Sequence, residues 1–234
     1  MPNDLDSSRG VLVLSPPRSG SSCVTACVSF QGFSIGKTPT TVKDTYNEKG
    51  YFENKQILDF NGRVLRKMTG KDDIHRPNDL SNKENSTLYQ YKRELSDILN
   101  SEFMIDGVES VPFVIKDPRI LLMRSLYFPL LPDVKVICLA RDREACVKSM
   151  QRLAREKSLK SGERYGAAWD NYVTLLNGID GVFPFMRIRF EEVIAKPEKA
   201  LEKICSFLDV PFTAEGRRAS LEFIDRKLIR YGNN

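Results

Sequence analysis

The stretch Pro17 to Ser22, PRSGSS, follows directly on an apolar run, Val11 to Leu14. The segment after it, Ser21 to Phe30, reads as a helix. Strand, glycine–serine loop and helix start form a cradle for a phosphate. Backbone N–H groups converge at the helix N-terminus, and the helix dipole favours negative charge there. The residues are not those of a triphosphate loop, G-x-x-x-x-G-K-[ST]. On that template Gly20 takes the second glycine, Ser15 the first, Ser21 the lysine and Ser22 the last position. The lysine that reaches a γ-phosphate is therefore missing, and the cation is Arg18, inside the loop. A guanidinium grips two oxygens of one anion with a fixed fork of donors. Ser19, Ser21 and Ser22 add hydroxyls. The composition suits one phosphate better than a Mg²⁺-bound triphosphate. A serine-rich turn with no ligand is the plain alternative, and it leaves the coincidence of strand, glycine and arginine unexplained.

Two further clusters carry charge at the ends of apolar runs. In VPFVIKDPR the run ends at Lys116, and Asp117 with Pro118 suits a helix start, with Asp117 as cap and Pro118 at the first helical position. Asp117 and Pro118 are thus read as structural. An arginine and a lysine here are costly unless they meet water or an anion, and Lys116 is the better functional candidate. In LPDVKVICLARD the run ends at Arg141, and Ser149 lies two helical turns on within RDREACVKS. A second phosphate fits between Arg141 and Ser149. Neither run ends in the acidic residue that would hold Mg²⁺.

These clusters need elements to bring them together. Helical spacing is read over 54–69 (Ile57, Leu58, Val64, Leu65, Met68), 87–99, 143–157, 163–176, 197–208 and 214–223. Strands are read at Val11–Leu14, in VPFVIKDPR, in LPDVKVICLARD and in PFMRIRFEEV, with a possible further one in QGFSIG. Strands alternating with helices imply right-handed crossovers and a parallel sheet covered on both faces. Ligands of such sheets bind beyond the carboxyl ends of the strands. That rule gathers Ser15–Ser22, Lys116–Arg119, Arg141–Ser149 and the turn after Phe190 at one edge. Tyr165, Trp169 and Tyr172 share a helix at core spacing. The polar stretches 37–54 and 72–85 read as a functional loop and a surface insert.

Bulk properties narrow the classes. With 36 basic and 31 acidic residues in 234, the net charge of +5 suits an anionic ligand and does not call for nucleic acid. No apolar run approaches the roughly 20 residues of a membrane span, and MPNDLDSSRG is not a signal peptide. The five cysteines form no C-x-x-C pair, which suits free thiols and a cytoplasmic location. Nothing in the pattern specifies an oligomer.

Taken together, PRSGSS, the Arg141–Ser149 pair, KDP and the late stretch RIRFEEVIAKPEKALEKICSFLDVPF resemble the sulfotransferases that use 3′-phosphoadenosine 5′-phosphosulfate. The likeness is to the bacterial type, with features of the protein-tyrosine branch, and spans roughly Val11 to Phe212. Phe190 stands where that family usually has tyrosine. The resemblance implies a P-loop-like three-layer α/β fold around a parallel sheet of about five strands. It implies one domain over 1–234, with 37–54 and 72–85 as acceptor-site or lid segments. The implied reaction is direct in-line transfer of a sulfuryl group to a hydroxyl or amine, with no metal required and adenosine 3′,5′-bisphosphate as product. The acceptor is read as a small molecule or carbohydrate, while no pattern in the sequence chooses among carbohydrate, lipid, peptide tyrosine and small phenol. By resemblance Pro17, Arg18, Ser19, Gly20, Ser21 and Ser22 hold the 5′-phosphosulfate, Arg141 and Ser149 hold the 3′-phosphate, and Lys116 steadies charge on the bridging oxygen.

The acceptor must also lose a proton. The chain's one histidine, His75, sits in a polar stretch and reads as solvated. Glu48 and Glu53 precede a helix, as the base does in the protein-tyrosine branch, and Glu53 is the choice. With Asn54 it could instead merely cap that helix. A basic C-terminal segment, with Arg217, Arg218, Arg226 and Lys227, supplies weak candidates for closing over the 3′-phosphate. Two other classes stay open at this point: a P-loop kinase of small metabolites and a non-catalytic nucleotide-binding protein.

Overall fold

The computed structural model describes residues 7–40, 43, 47–70, 90–104, 111–156, 164–179 and 181–225. Its centre is a parallel sheet of β1 (Gly10–Leu14), β4 (Phe113–Ile115), β5 (Lys135–Ala140) and β6 (Phe185–Arg189), in the order β4-β1-β5-β6. A separate antiparallel ribbon joins β2 (Pro39–Thr40) to β3 (Glu53–Asn54). All five residues of β1 are buried, as the wholly apolar sequence requires of a central parallel strand.

Alternate residues of the strands feed two cores. Leu12, Leu14, Val136 and Cys138 face one side, with α2 (Lys55–Thr69), α3 (Lys92–Phe103), α4 (Arg119–Leu122), α5 (Arg124–Tyr127) and α7 (Arg164–Asn177). Val11, Val13, Ile137 and Leu139 face the other, with α1 (Ser21–Ser29), α8 (Phe190–Ala195), α9 (Pro197–Leu208) and α10 (Ala214–Phe223). The result is the three-layer α/β architecture. Tyr165 and Tyr172 are fully buried as expected, while Trp169 is partly buried against the smaller cluster of α6 (Arg143–Glu156) and α7.

Differences from the sequence reading have local causes. About five strands were expected, and four are regular among the described residues. The strand expected in QGFSIG shortens to a bridge, in which Ser34 N–H donates to Pro112 O at 2.7 Å and Ser34 O accepts from Val114 N–H at 2.9 Å. Gly32 and Gly36 flank it, both at φ +95°, and turn the chain out of the extended conformation on either side. The helix read over 87–99 runs to Phe103, because Phe103 is buried with its ring 4.9 Å from that of Phe113. Residues 87–89 lie outside the described ones. The strand in PFMRIRFEEV ends where it was expected to, at Arg189, and Phe190 opens α8. The helices 197–208 and 214–223 keep their expected bounds, the first with Pro197 at its start and the second capped by Thr213 Oγ1, which accepts from Gly216 N–H at 3.0 Å.

Candidate functional site

The loop between β1 and α1 is bent by two left-handed residues, Arg18 at φ 68° and Gly20 at φ 87°. Glycine suits the second position for another reason too. A Cβ on Gly20 would lie 2.4 Å from the Phe190 ring. The N–H groups of Cys23 and Val24 both reach Gly20 O, so the N–H groups of Ser21 and Ser22 lie at the open end of α1.

On the Arg18 side, four expected residues meet. Arg18 Nε donates to Ser149 Oγ at 3.0 Å, and Arg141 Nη1 donates to Arg18 O at 3.1 Å. Arg141 also lies over the Phe190 ring, 5.2 Å from its centroid. Cys146, one turn before Ser149 on α6, donates its thiol to Arg18 O at 3.7 Å and lies 3.6 Å from Ser19 Oγ. Burial pushes the Cys146 thiol up, so it stays protonated beneath the loop. Burial lowers the Arg141 pKa; the Arg18 charge adds to that, while Cys146, Glu191 and Asp142 oppose it. The charges of Arg18 and Arg141 oppose each other, and a nearby anion would ease that opposition.

On the Ser22 side lies a buried ion pair. Lys116 Nζ meets Glu53 Oε1 at 2.6 Å, with the two side chains only 4% and 12% exposed, and reaches Ser22 Oγ at 3.4 Å. Burial raises the Glu53 carboxyl above the ordinary carboxylate range; Lys116 pulls it back, and Asp117 adds to the rise. The capping alternative for Glu53 is resolved by its neighbour. Asn54 is the helix cap, its Oδ1 accepting from Ile57 N–H at 3.1 Å, and Glu53 turns away to Lys116.

Asp117 is structural as read, although the cap position itself is Pro118. Its carboxylate accepts from Arg119 N–H at 2.9 Å, pairs with the Arg119 guanidinium at 2.9 Å and accepts from Asn61 Nδ2 at 3.0 Å. Tyr127 OH donates to Asn61 Oδ1 at 2.6 Å, and all four residues are buried. This network ties α2, which follows Glu53, to the strand end that carries Lys116. Sequence reasoning missed Asn61. The available signal was a polar residue inside the apolar stripe Ile57–Val64–Leu65.

The other described candidates lie on the surface. Glu48 is exposed. Arg217 pairs with Glu198 on the surface and Arg218 is exposed. His75, the stretch 72–85, Arg226 and Lys227 lie outside the described residues. Among the described residues, no group of three or more His, Cys, Asp or Glu could hold a metal ion. No helix of the described residues is long and apolar enough to cross a membrane, and all five cysteines are free.

The model of a sulfotransferase family matches residues 10–214. The chain therefore belongs to the sulfotransferase family. Solved structures share the fold. A sulfotransferase domain from the curacin biosynthetic pathway is 19% identical with a TM-score of 0.52, covering 95% of this chain and 80% of its own. Sulfotransferase STF1 from Mycobacterium tuberculosis H37Rv is 14% identical with a TM-score of 0.60, covering 91% of this chain and 70% of its own. Mouse sulfotransferase SULT7A1, solved in complex with PAP, is 14% identical with a TM-score of 0.52, covering 97% of this chain and 67% of its own. No curated protein sequence matches the chain.

Proposed function

We propose that this protein transfers a sulfuryl group from 3′-phosphoadenosine 5′-phosphosulfate to a hydroxyl or amine of a small-molecule or carbohydrate acceptor. The carrying observation is one loop with the Arg18–Ser149–Arg141 cluster at one end and the buried Lys116–Glu53 pair at the other. The donor would supply the sulfuryl group and leave as adenosine 3′,5′-bisphosphate, with no metal required. The residues fit such a doubly anionic ligand. The Arg141 pKa is lowered by burial and by the charge of Arg18, the α1 N-terminus is open, and Gly20 keeps the loop close under Phe190.

Sulfuryl transfer, like phosphoryl transfer, depends on positioning and charge stabilisation more than on covalent help from the protein. Arg18 and the amides and hydroxyls of Ser19, Gly20, Ser21 and Ser22, behind Pro17, hold the 5′-phosphosulfate. Arg141 and Ser149 hold the 3′-phosphate. Lys116 neutralises charge growing on the bridging oxygen as its bond to sulfur breaks. Glu53 takes the proton of the acceptor as the new bond to sulfur forms. A carboxyl with a raised pKa is a better base near neutral pH than an ordinary one. In this reading 1–234 is a single domain, with 37–54 and 72–85 shaping the acceptor side.

Titration calorimetry tests the donor assignment. The expected result is tight binding of adenosine 3′,5′-bisphosphate and weak binding of ATP–Mg²⁺. Tight ATP–Mg²⁺ binding with none for the bisphosphate overturns it. A screen of acceptors with labelled sulfate donor then tests transfer itself.

A further inference from the structure

We propose that Glu102 is a positioning residue of this site: through Asn54, Thr38 and Gln56 its buried carboxylate anchors the β2–β3 ribbon so that Glu53 is presented to Lys116. The consequence for turnover rests on Glu53 being the base, but the placing of Glu53 is measurable without it.

Glu102 stands on α3 and is 3% exposed. Its Oε2 accepts from Thr38 N–H at 2.8 Å, Thr38 Oγ1 at 3.0 Å and Asn54 Nδ2 at 2.6 Å. Its Oε1 accepts from Gln56 Nε2. A buried carboxylate is costly unless its oxygens are satisfied, and these donors satisfy both. They also call for a carboxylate in particular. An ionised carboxylate only accepts, with about four lone-pair sites, whereas an amide would turn donors of its own toward these donors. Burial by itself raises the Glu102 carboxyl; the hydrogen bonds from Asn54, Thr38 and Gln56 outweigh it, leaving the group below the ordinary carboxylate range and charged at neutral pH.

Asn54 passes this anchorage to Glu53. Its Nδ2 also donates to Ile35 O at 3.1 Å while its Oδ1 caps α2, so both ends of the amide are engaged. The backbone register, Pro39 opposite Asn54 and Thr40 opposite Glu53, is extended by Lys55 N–H donating to Thr38 O at 2.9 Å. Successive side chains of a strand point to opposite faces. Holding Asn54 inward on Glu102 therefore turns Glu53 outward, toward the strand end bearing Lys116. Gly36 makes room for the anchor: a Cβ there would lie 2.4 Å from Asn54 Nδ2 and 3.0 Å from Glu102 Oε2.

The test is a ¹³C NMR titration of the Glu53 carboxyl in the full chain, its signal assigned by its loss in E53Q. The variants are E102Q, N54D and the double variant N54D/E102Q. N54D keeps an oxygen to cap Ile57, so α2 keeps its cap while a second carboxylate faces Glu102. In each single variant Glu53 is expected to titrate lower, toward the ordinary carboxylate range, as it leaves the buried pair. Adenosine 3′,5′-bisphosphate affinity is expected to stay within about twofold. The double variant relieves the acid–acid contact of N54D but still sets an amide against the Thr38 and Gln56 donors, so it is expected to recover only part of the wild-type titration. Wild-type titration of Glu53 in both single variants overturns the proposal. If E53Q keeps full turnover while E102Q still moves the Glu53 titration, the base assignment falls and the positioning role stands.

Discussion

The two ends of the loop 17–22 are built differently. The Arg18 end is assembled from a strand end and the first turns of the helix that follows it. Arg141 directly follows β5, and Cys146 and Ser149 sit on successive turns of α6. The Ser22 end joins two further stretches of chain to the loop, where the Arg18 end joins one. Glu53 comes from the β2–β3 ribbon, Lys116 from the end of β4, and their pairing is supported by Asn61, Asp117 and Tyr127 behind it. The first end presents cations from motifs short in sequence. The second buries a cation against an acid, and such a pair is strongly destabilising when one partner is lost. An anion can be held by whatever cations a sheet edge offers, but a base must be aimed at one proton, and aiming requires more of the fold.

Removing the acid while keeping its shape tests the second end most severely. Glu53→Gln is expected to lower turnover by about 10²- to 10⁴-fold while bisphosphate affinity holds within about twofold. Steady-state rates with labelled donor and calorimetry check both, and near-normal turnover sinks the assignment. The pH profile sharpens the same point. A base must be deprotonated, so the acid limb of kcat/KM should lie above the ordinary glutamate value of about 4.3, because burial raises Glu53 despite Lys116. Stability runs the other way. With the native pKa raised, the contribution of this carboxyl is present below the unfolded value and lost as pH rises through the native one.

At the first end, Arg18→Lys keeps the charge and loses the fork. Charge-assisted hydrogen bonds are worth roughly 1.5–3 kcal/mol, so bisphosphate affinity should fall about 10- to 100-fold with Glu53 titrating as before. Unchanged affinity would remove Arg18 from the anion site. Gly20→Ala sets an L residue at φ 87° against the Phe190 ring. The left-handed conformation alone costs about 1–2 kcal/mol, so the melting temperature should drop by roughly 3–6 °C and bisphosphate binding should weaken with it. The smallest effect is expected at Arg217→Ala. Its pair with Glu198 is half exposed and such pairs contribute about 0.2–1 kcal/mol, so bisphosphate binding should not change. A clear loss there would bring the C-terminal helix into the anion site.

How far the chain could be read follows the range of the forces involved. Helix α9 was legible because Pro197 at its start acts within one turn, and α10 because Thr213 caps its own next residues. Helix α3 ran past its expected end because Phe103 packs on Phe113, a contact no local pattern announces. Asn61 and Glu102 were opaque for the same reason. Asn61 meets Asp117 and Tyr127, and Glu102 meets Thr38, Asn54 and Gln56, from other parts of the chain. The chain's resemblance to sulfotransferases was legible in PRSGSS, Arg141 and Ser149 because each motif carries its strand-end context with it.

From its sequence alone this protein declares a parallel α/β sheet, a glycine–serine loop with arginine in place of lysine, and cations at two further strand ends. Hydrogen bonds and apolar spacing within a turn or two of each residue encode all of that. Only the tertiary structure decided that Asn54 caps α2 while Glu53 turns to Lys116, that Arg18 bonds Ser149, and that the possible strand in QGFSIG is a single bridge at Ser34. The physical reason is that a buried charge takes its orientation from the partners that satisfy it, and here those partners lie far away along the chain.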